Sequence, residues 1–245
     1  MNSHCVTGGW VLGNVIDGTQ AEYVRIPHAN NSLYKLPGNI DPWEMISLSD
    51  ALPTGMECGT LNANVQPGNS VAVVGAGPVG LAAMLTAKLY APYPVVAIDI
   101  DNSRLEHAQR LGADKVINTK SPNAMEELDT IVEGRGFDSV IEAVGQPSTF
   151  DLCQKLLAPG GSLANIGVHG QKVSLDLDEL WDRNISIKTR LVDTLSIPLL
   201  LRLCQVGRLR PALITHRYPF SDIMKAYQVF ENASEEGALK VGIHF

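Results

Sequence analysis

From residue 70 onward the chain alternates short apolar runs with longer segments in which apolar residues recur every three or four positions. The runs are VAVV (71–74), VVAI (95–98), KVIN (115–118), SVIE (139–142), SLANI (162–166) and ISIKT (185–189). Each has strand length and is rich in β-branched residues. The segments between them read as helices with punctuation at both ends. NSRLEHAQRLG has Asn102 or Ser103 as cap and Gly112 as stop; SPNAMEELDTIVEG opens with a Ser cap and Pro122 in its first turn. PSTFDLCQKLLAPGG runs out at Pro159-Gly160-Gly161. Six β-runs with helical crossovers predict an α/β fold built on a doubly wound parallel sheet, over residues 52–194.

The flanks follow a different pattern. QAEYVRI (20–26) suits a strand, and LYKLP from Leu33 suits a short extended piece closed by Pro37-Gly38. Asp41-Pro42 has the form of a helix start, with Asp as cap and Pro at the first helical position. The segment WEMISLSDALPTGMECGTLNAN then reads as helix in two pieces, broken near Pro53-Thr54-Gly55. After the sheet, 194–209 and 221–232 are helix candidates and the closing ALKVGIHF is a strand. Residues 1–51 are too short and strand-poor to stand alone, so they are expected to join 195–245 in one substructure around the inserted sheet.

Composition narrows the function. The 245 residues are 45% hydrophobic and 18% charged, an ordinary globular balance with a sizeable core. Lys and Arg number 19 against 26 Asp and Glu, a net charge of -7, and no basic cluster offers a nucleic-acid footprint. The least polar long run, VAVVGAGPVGLAAMLTA (71–87), contains Pro78 and three glycines and is short for a membrane span. The four cysteines, Cys5, Cys58, Cys153 and Cys204, form no close pair. That argues against a disulfide scaffold and for a reducing, cytoplasmic compartment.

The first chemistry lies in VAVVGAGPVGLAAM, where Gly75, Gly77 and Gly80 have the G-x-G-x-x-G spacing. A lone glycine triplet is a weak signal; here it follows an apolar strand and opens an Ala-rich helix, the context a dinucleotide requires. Gly75 permits the tight turn, Gly77 lets a pyrophosphate approach the backbone, and Gly80 lets helix and sheet pack closely. Asp99 ends the next strand 19 residues past Gly80, placed to bind both ribose hydroxyls and repel a 2′-phosphate, which favours NAD over NADP. Arg104 pulls the other way, since it can flank adenine or tolerate a phosphate. Asp101 reads as a solvated turn residue. Ligands of such sheets lie outside the carboxyl ends of the strands. Gly145 in IEAVGQP and the backbone at Ile166–Val168 therefore border the nicotinamide side. Glu142 reads as structural, and His169, tempting as a proton relay, reads more plainly as a loop histidine beside Gly170.

Together, IDGTQAEYVRIPHANNSLYKLP, LSDALPTG, VAVVGAGPVGLAAM, APGGSLANIGVHG and LWDRNISIKTRLVDT resemble the zinc-dependent medium-chain alcohol dehydrogenases across essentially the whole chain. The resemblance implies a Rossmann domain (52–194) inserted in a GroES-like catalytic domain, represented here by 1–51 and 195–245. It implies NAD held by Gly75, Gly77, Pro78, Val79, Gly80 and Asp99, with Arg104, Gly145 and Val168 alongside, and Thr54 near the nicotinamide. It also implies a small-molecule alcohol or carbonyl substrate and a homodimer or homotetramer formed through the Rossmann domain.

The metal expectations follow from the same resemblance. Asp50 matches the late acidic ligand of the family's catalytic zinc, and Cys5 the fourth cysteine of its structural zinc. Set against the family pattern the chain opens inside the catalytic domain, and the other ligands of both sites would precede Met1. Zinc is therefore expected to be absent from this chain, and its alcohol dehydrogenase activity slight. Two alternatives stand beside the NAD-dependent dehydrogenase: a zinc-independent NAD(P)H reductase and a non-catalytic dinucleotide-binding protein.

Overall fold

The computed structural model describes all 245 residues. Helices α1 (Ala29–Ser32), α2 (Pro42–Met45) and α3 (Ala51–Thr54) precede a π-helical turn, Gly55–Thr60. Then come β1 (Val71–Val74), α4 (Pro78–Ala87), β2 (Val95–Asp99), α5 (Asn102–Arg110), β3 (Lys115–Asn118) and α6 (Ala124–Ile131). They are followed by β4 (Phe137–Glu142), α7 (Pro147–Leu156), β5 (Leu157–Asn165), α8 (Leu177–Leu180) and β6 (Ser186–Thr189). The chain ends with α9 (Ile197–Gln205), β7 (Ile214–Pro219), α10 (Ile223–Glu231), α11 (Ala233–Glu236) and β8 (Lys240–His244).

Six strands form one parallel sheet in the order β3-β2-β1-β4-β5-β6, the doubly wound arrangement that the alternation of runs predicts. Because side chains alternate along a strand, each strand feeds two cores. Val71, Val73, Val95, Ala97 and Ile141 pack on one face with Leu52, Leu81, Met84, Leu105 and Leu200. Ala72, Val74, Val96, Ile98 and Val140 pack on the other with Leu128, Phe150, Cys153 and Leu156. The first face is covered by α3, the π-turn, α4, α5 and α9; the second by α6 and α7. α3 and the π-turn approach α4 closely because Gly55 has no side chain: a Cβ there would overlap the Ala82–Ala83 backbone.

A second, two-stranded sheet pairs β7 with β8 in parallel, and α10 packs on it. Residues 41–43 are fastened to this sheet. Asp41 accepts from Arg217 at 3.2 Å, the Arg217 guanidinium lies over the Trp43 ring at 4.8 Å, and Trp43 meets the His244 ring edge-on.

Several local expectations are corrected. Residues 20–26 make bends, not a strand: no partner strand lies beside them and Tyr23 is 90% exposed. The 33–37 stretch, expected only to be extended, is extended at Leu33 and has no partner strand. The helical break falls at Asp50 (φ -155°, ψ -63°), not at Pro53, because a proline is well tolerated in a first helical turn. α5 is capped by Asp101, which accepts from Ser103 N at 2.8 Å; α6 starts after Asn123, whose side chain makes no capping hydrogen bond. Asp101 is thus a cap, not a free turn residue. β5 begins at Leu157 and runs through Pro159-Gly160-Gly161, where the sequence predicts only a helix end. β7 was not foreseen: ITHRYP is too polar to show as an apolar run.

Candidate functional site

β1 delivers the chain to Gly75, whose φ of +101° suits glycine, and its N–H is held by Ile98 O at 2.7 Å. A Cβ at Gly75 would meet Val144 Cγ2 at 2.6 Å, and one at Gly80 would overlap the Gly75 carbonyl oxygen. Gly77 is different. Its backbone (φ -73°, ψ 179°) suits any residue, and nothing lies within 4 Å of where its Cβ would stand. Gly75 and Gly80 are small because the protein fills the space, Gly77 because the space is left open. Pro78 starts α4 without a donor, and no side chain caps the N–H groups of its first turn. Those free groups and the helix dipole point into the open space beside Gly77, a seat for a phosphate.

Asp99, 8% exposed, closes the site at the end of β2. Its Oδ2 accepts from Ala76 N at 2.7 Å, and its Oδ1 from Ile100 N at 2.7 Å and Asp101 N at 3.0 Å. Arg104 Nη1 stands 3.8 Å from Oδ2. The carboxylate therefore ties the glycine loop to the turn before α5, and one of its roughly four lone-pair positions remains for a ligand hydroxyl. Asp101, next to it, is stabilised in its charged form. Burial opposes the charge, but hydrogen bonds from Ser234 and from the Ser103 and Arg104 amides more than offset that.

At the carboxyl ends of β4 and β5 two loops interlock. Gly145 has φ +85°, and a Cβ there would overlap Val168 O. A Cβ on Gly167 would overlap Glu142 Oε2 and Gly145 N. Val168 itself is 90% exposed and faces outward from the edge. Beneath the loops Glu142 is fully buried. Its carboxylate accepts from Val144 N (3.0 Å), Gly145 N (2.9 Å) and Thr149 Oγ1 (2.6 Å). His169 Nε2 lies 3.6 Å from its Oε2. The sequence reading of Glu142 as structural understates it: this one carboxylate shapes the turn that carries Gly145.

Residues 78–205, more than half of the chain, match the family model described as zinc-binding dehydrogenase. The chain belongs to the zinc-type medium-chain alcohol dehydrogenase family. It is 44% identical to the apo form of zinc dependent alcohol dehydrogenase 2 from Streptococcus pneumonia, covering 100% of this chain and 70% of that one with a TM-score of 0.93. It is 34% identical to alcohol dehydrogenase TADH from Thermus sp. ATN1, over 95% of this chain and 67% of that one, TM-score 0.86. An alcohol dehydrogenase from Cupriavidus necator is 36% identical over 97% of this chain, which spans 66% of that relative's length.

In this dehydrogenase-family chain the two candidate metal residues stand apart from other ligands. Asp50 is exposed and its Oδ1 accepts from Thr54 Oγ1 at 3.0 Å. Cys5 is exposed near Thr7, whose hydrogen bonds hold the thiol below its ordinary value. A closed zinc site needs four convergent ligands and an open one three. No three His, Cys, Asp or Glu side chains converge anywhere in these 245 residues, so Asp50 and Cys5 make no zinc site by themselves. The dinucleotide fits better: the open cradle at Gly77 and the free first turn of α4 match its pyrophosphate. A cavity of about 610 Å³ lies elsewhere, lined by Cys5, His28, Leu33, Leu48, Thr194 and Ile197; of the candidate residues it includes only Cys5.

Sequence reasoning missed two further buried acids, Glu57 and Asp193. Glu57, 3% exposed, accepts from Asp193 N (3.0 Å), Ser196 N (2.8 Å) and Ser196 Oγ (2.7 Å). Asp193 in turn accepts from Ser3 N (2.9 Å), Ser3 Oγ (2.7 Å) and Arg190 Nη2 (2.9 Å). The Ser3 donors first, and then Arg190, hold the Asp193 carboxyl well below the usual carboxylate range. This network ties the π-turn, the segment after β6 and the start of the chain together. A charge inside the otherwise apolar GMECGT was the available signal.

Proposed function

We propose that the chain binds NAD(H) at the glycine loop and serves hydride transfer between that cofactor and a small alcohol or carbonyl compound. The observation that carries the reading is the empty Cβ position at Gly77 beside the uncapped first turn of α4, with Asp99 closing the adenosine end. Gly75, Gly77, Pro78, Val79 and Gly80 form the pyrophosphate seat. Asp99 has one acceptor position left for the ribose and repels a 2′-phosphate, so NAD is preferred over NADP. Arg104 flanks the adenosine, and Gly145 and Val168 border the nicotinamide side at the strand ends. Thr54, which donates to Asp50, would lie near the nicotinamide. Bound there, the dinucleotide supplies a hydride acceptor or donor at its nicotinamide ring.

Calorimetric titration tests the reading. NADH should bind in the micromolar range and NADPH at least about tenfold more weakly, because Asp99 opposes the 2′-phosphate. No NADH binding up to millimolar concentration refutes the site, and equal affinities remove Asp99 from cofactor choice. The alternative reading is a zinc-independent NAD(P)H reductase. Carbonyl-dependent NADH oxidation that persists in a strong chelator supports that reading, and oxidation that stops refutes it.

Two further elements belong to the proposal. β6 closes the sheet with an exposed edge, SIKT, available to pair with a second copy. Light scattering that finds only monomer at tens of micromolar would count against pairing. The four free thiols fit a reducing compartment such as the cytoplasm. No helix is long and apolar enough to cross a membrane.

A further inference from the structure

The cavity of about 610 Å³ beside α9 has one wall that is fastened at very few points. Its floor belongs to the core: Leu48, before α3, and Ile197, on α9, are both buried. Another wall is the start of the chain, where Asn2, Cys5 and Gly8 line the space. Residues 2–8 curl into one piece. Cys5 N donates to Asn2 O (3.1 Å), Gly9 N donates to Cys5 O (2.8 Å), and a Cβ at Gly9 would meet Ser3 O at 2.6 Å. Apart from Thr7 and His28, 3.0 Å apart, every hydrogen bond from residues 1–8 to the chain beyond Gly9 ends on Asp193. Asn2 Nδ2 reaches the Asp193 carbonyl oxygen at 3.4 Å; Ser3 N and Oγ reach its Oδ1 at 2.9 and 2.7 Å. Asp193 is itself held firmly. Arg190 donates to its Oδ2 at 2.9 Å, and its own N–H donates to the buried Glu57 at 3.0 Å. A stiff post thus carries a light wall.

The volume falls in the range of small-molecule sites. Leu33, Leu36, Leu48, Ile197 and Leu201 give the space an apolar lining. The three aliphatic hydroxyls along it already donate to the protein: Ser32 Oγ to Pro27 O (3.2 Å), Ser49 Oγ to Ile46 O (2.7 Å) and Thr194 Oγ1 to Asp193 O (2.7 Å). What these hydroxyls leave for a guest is lone pairs. That favours a guest with an O–H to donate over one that only accepts. We propose that residues 2–8 form a gate on this cavity, latched by Ser3 to Asp193, and that the cavity takes the aliphatic part of a small alcohol. The occupant rests on the reading that the chain handles a small alcohol or carbonyl compound; the gate rests on the geometry of the latch. None of the lining residues belongs to the glycine loop, so neither part requires a bound dinucleotide.

Methyl NMR of the chain without cofactor, titrated with 1-butanol, 1-hexanol and 1-octanol, both locates and times the binding. Shifts should fall on Leu48, Ile197 and Leu201, and affinity should rise about two- to fourfold per added methylene. 2-Hexanone should bind at least about twofold more weakly than 1-hexanol. Ser3→Ala removes one of the two Ser3 bonds to the Asp193 carboxylate and none of the lining. Entry and exit rates of 1-hexanol, read from line shapes, should then rise together by about tenfold or more while Kd changes less than about twofold. Ser3→Thr keeps a hydroxyl and should restore the wild-type rates. The methyl signals of Leu81 and Leu128, one in each core, confirm that a variant is folded. Unchanged rates in Ser3→Ala overturn the latch, and a weaker Kd without faster entry makes residues 2–8 a fixed wall, not a gate. No saturable shift with any of the three alcohols overturns the site, and tighter binding of the ketone overturns the choice of an alcohol. NADH titration of the same preparation reports separately on the dinucleotide reading, which stands or falls without these results.

Discussion

Gly77→Ala separates the cofactor seat from the fold. In most glycine loops a substitution damages both, and loss of binding then proves little. Here the position has ordinary backbone angles (φ -73°, ψ 179°), and an added methyl would touch no protein atom within 4 Å. Replacing glycine by alanine at a compatible site stabilises by about 0.4–1 kcal/mol through the unfolded chain. In a chain of this size that amounts to a melting temperature unchanged or raised by about 1–4 °C. The same methyl stands where the pyrophosphate must approach. Moving the phosphate off the first turn of α4 loses at least one charge-assisted hydrogen bond, about 1.5–3 kcal/mol. At 1.4 kcal/mol per decade that is a ten- to hundredfold weaker NADH complex. Gly80→Ala is the contrasting variant: its Cβ would overlap Gly75 O, so the helix must move off the strand and melting should fall sharply. Calorimetric melting and NADH titration on the same preparations give both numbers. A Gly77→Ala protein that melts normally and binds NADH with wild-type affinity would refute the placement of the phosphate.

Three other outcomes are expected. Glu57→Ala leaves the Asp193 and Ser196 amides and the Ser196 hydroxyl without their acceptor; it should cost about 3 kcal/mol, seen as a melting point lower by roughly 10 °C. Asp193 has a depressed folded-state pKa, so its contribution is complete above the usual carboxylate range and is lost as pH falls below about 4. Asp193→Asn should therefore be less stable at neutral pH and show a shallower acid limb in pH-dependent unfolding; an unchanged limb removes Asp193 from that role. Iodoacetamide at pH 8 should label Cys5 first, as peptide mapping by mass spectrometry would show. Cys58, pushed up to about 12 by burial and then by Glu57, and Cys153 should react only after unfolding.

The sheet was legible because its central strands are short apolar runs, and burial on both faces leaves few other readings for VAVV or VVAI. The glycine loop was legible for a related reason: its spacing, the strand before it and the helix after it are all local. What the sequence did not disclose depends on partners far along the chain. QAEYVRI has strand composition, yet strands exist only in pairs, and nothing in the 20–26 segment tells whether a neighbour is at hand. ITHRYP was hidden for the opposite reason, since its pairing with residues 240–244 lets a polar segment be a strand. Glu57 and Asp193 are 136 residues apart, and their hydrogen bond has no periodic trace in either segment. Glu142 and His169 were both noticed singly; the relation between them came from the loop geometry.

The interlock of Gly145 and Gly167 makes the ends of β4 and β5 one unit of inheritance. Strand-and-helix segments of parallel sheets are natural places to join pieces of related sequences, and a crossover inside α7 is well placed for such a splice. Here that splice separates Glu142 and Gly145 from Gly167, Val168 and His169. If the incoming second piece carries any side chain at 167, its Cβ overlaps the Glu142 carboxylate. If it lacks His169, the buried acid loses the imidazole that stands 3.6 Å from it. Chimaeras of this chain should tolerate a junction before β4 or after residue 170 far better than one between them.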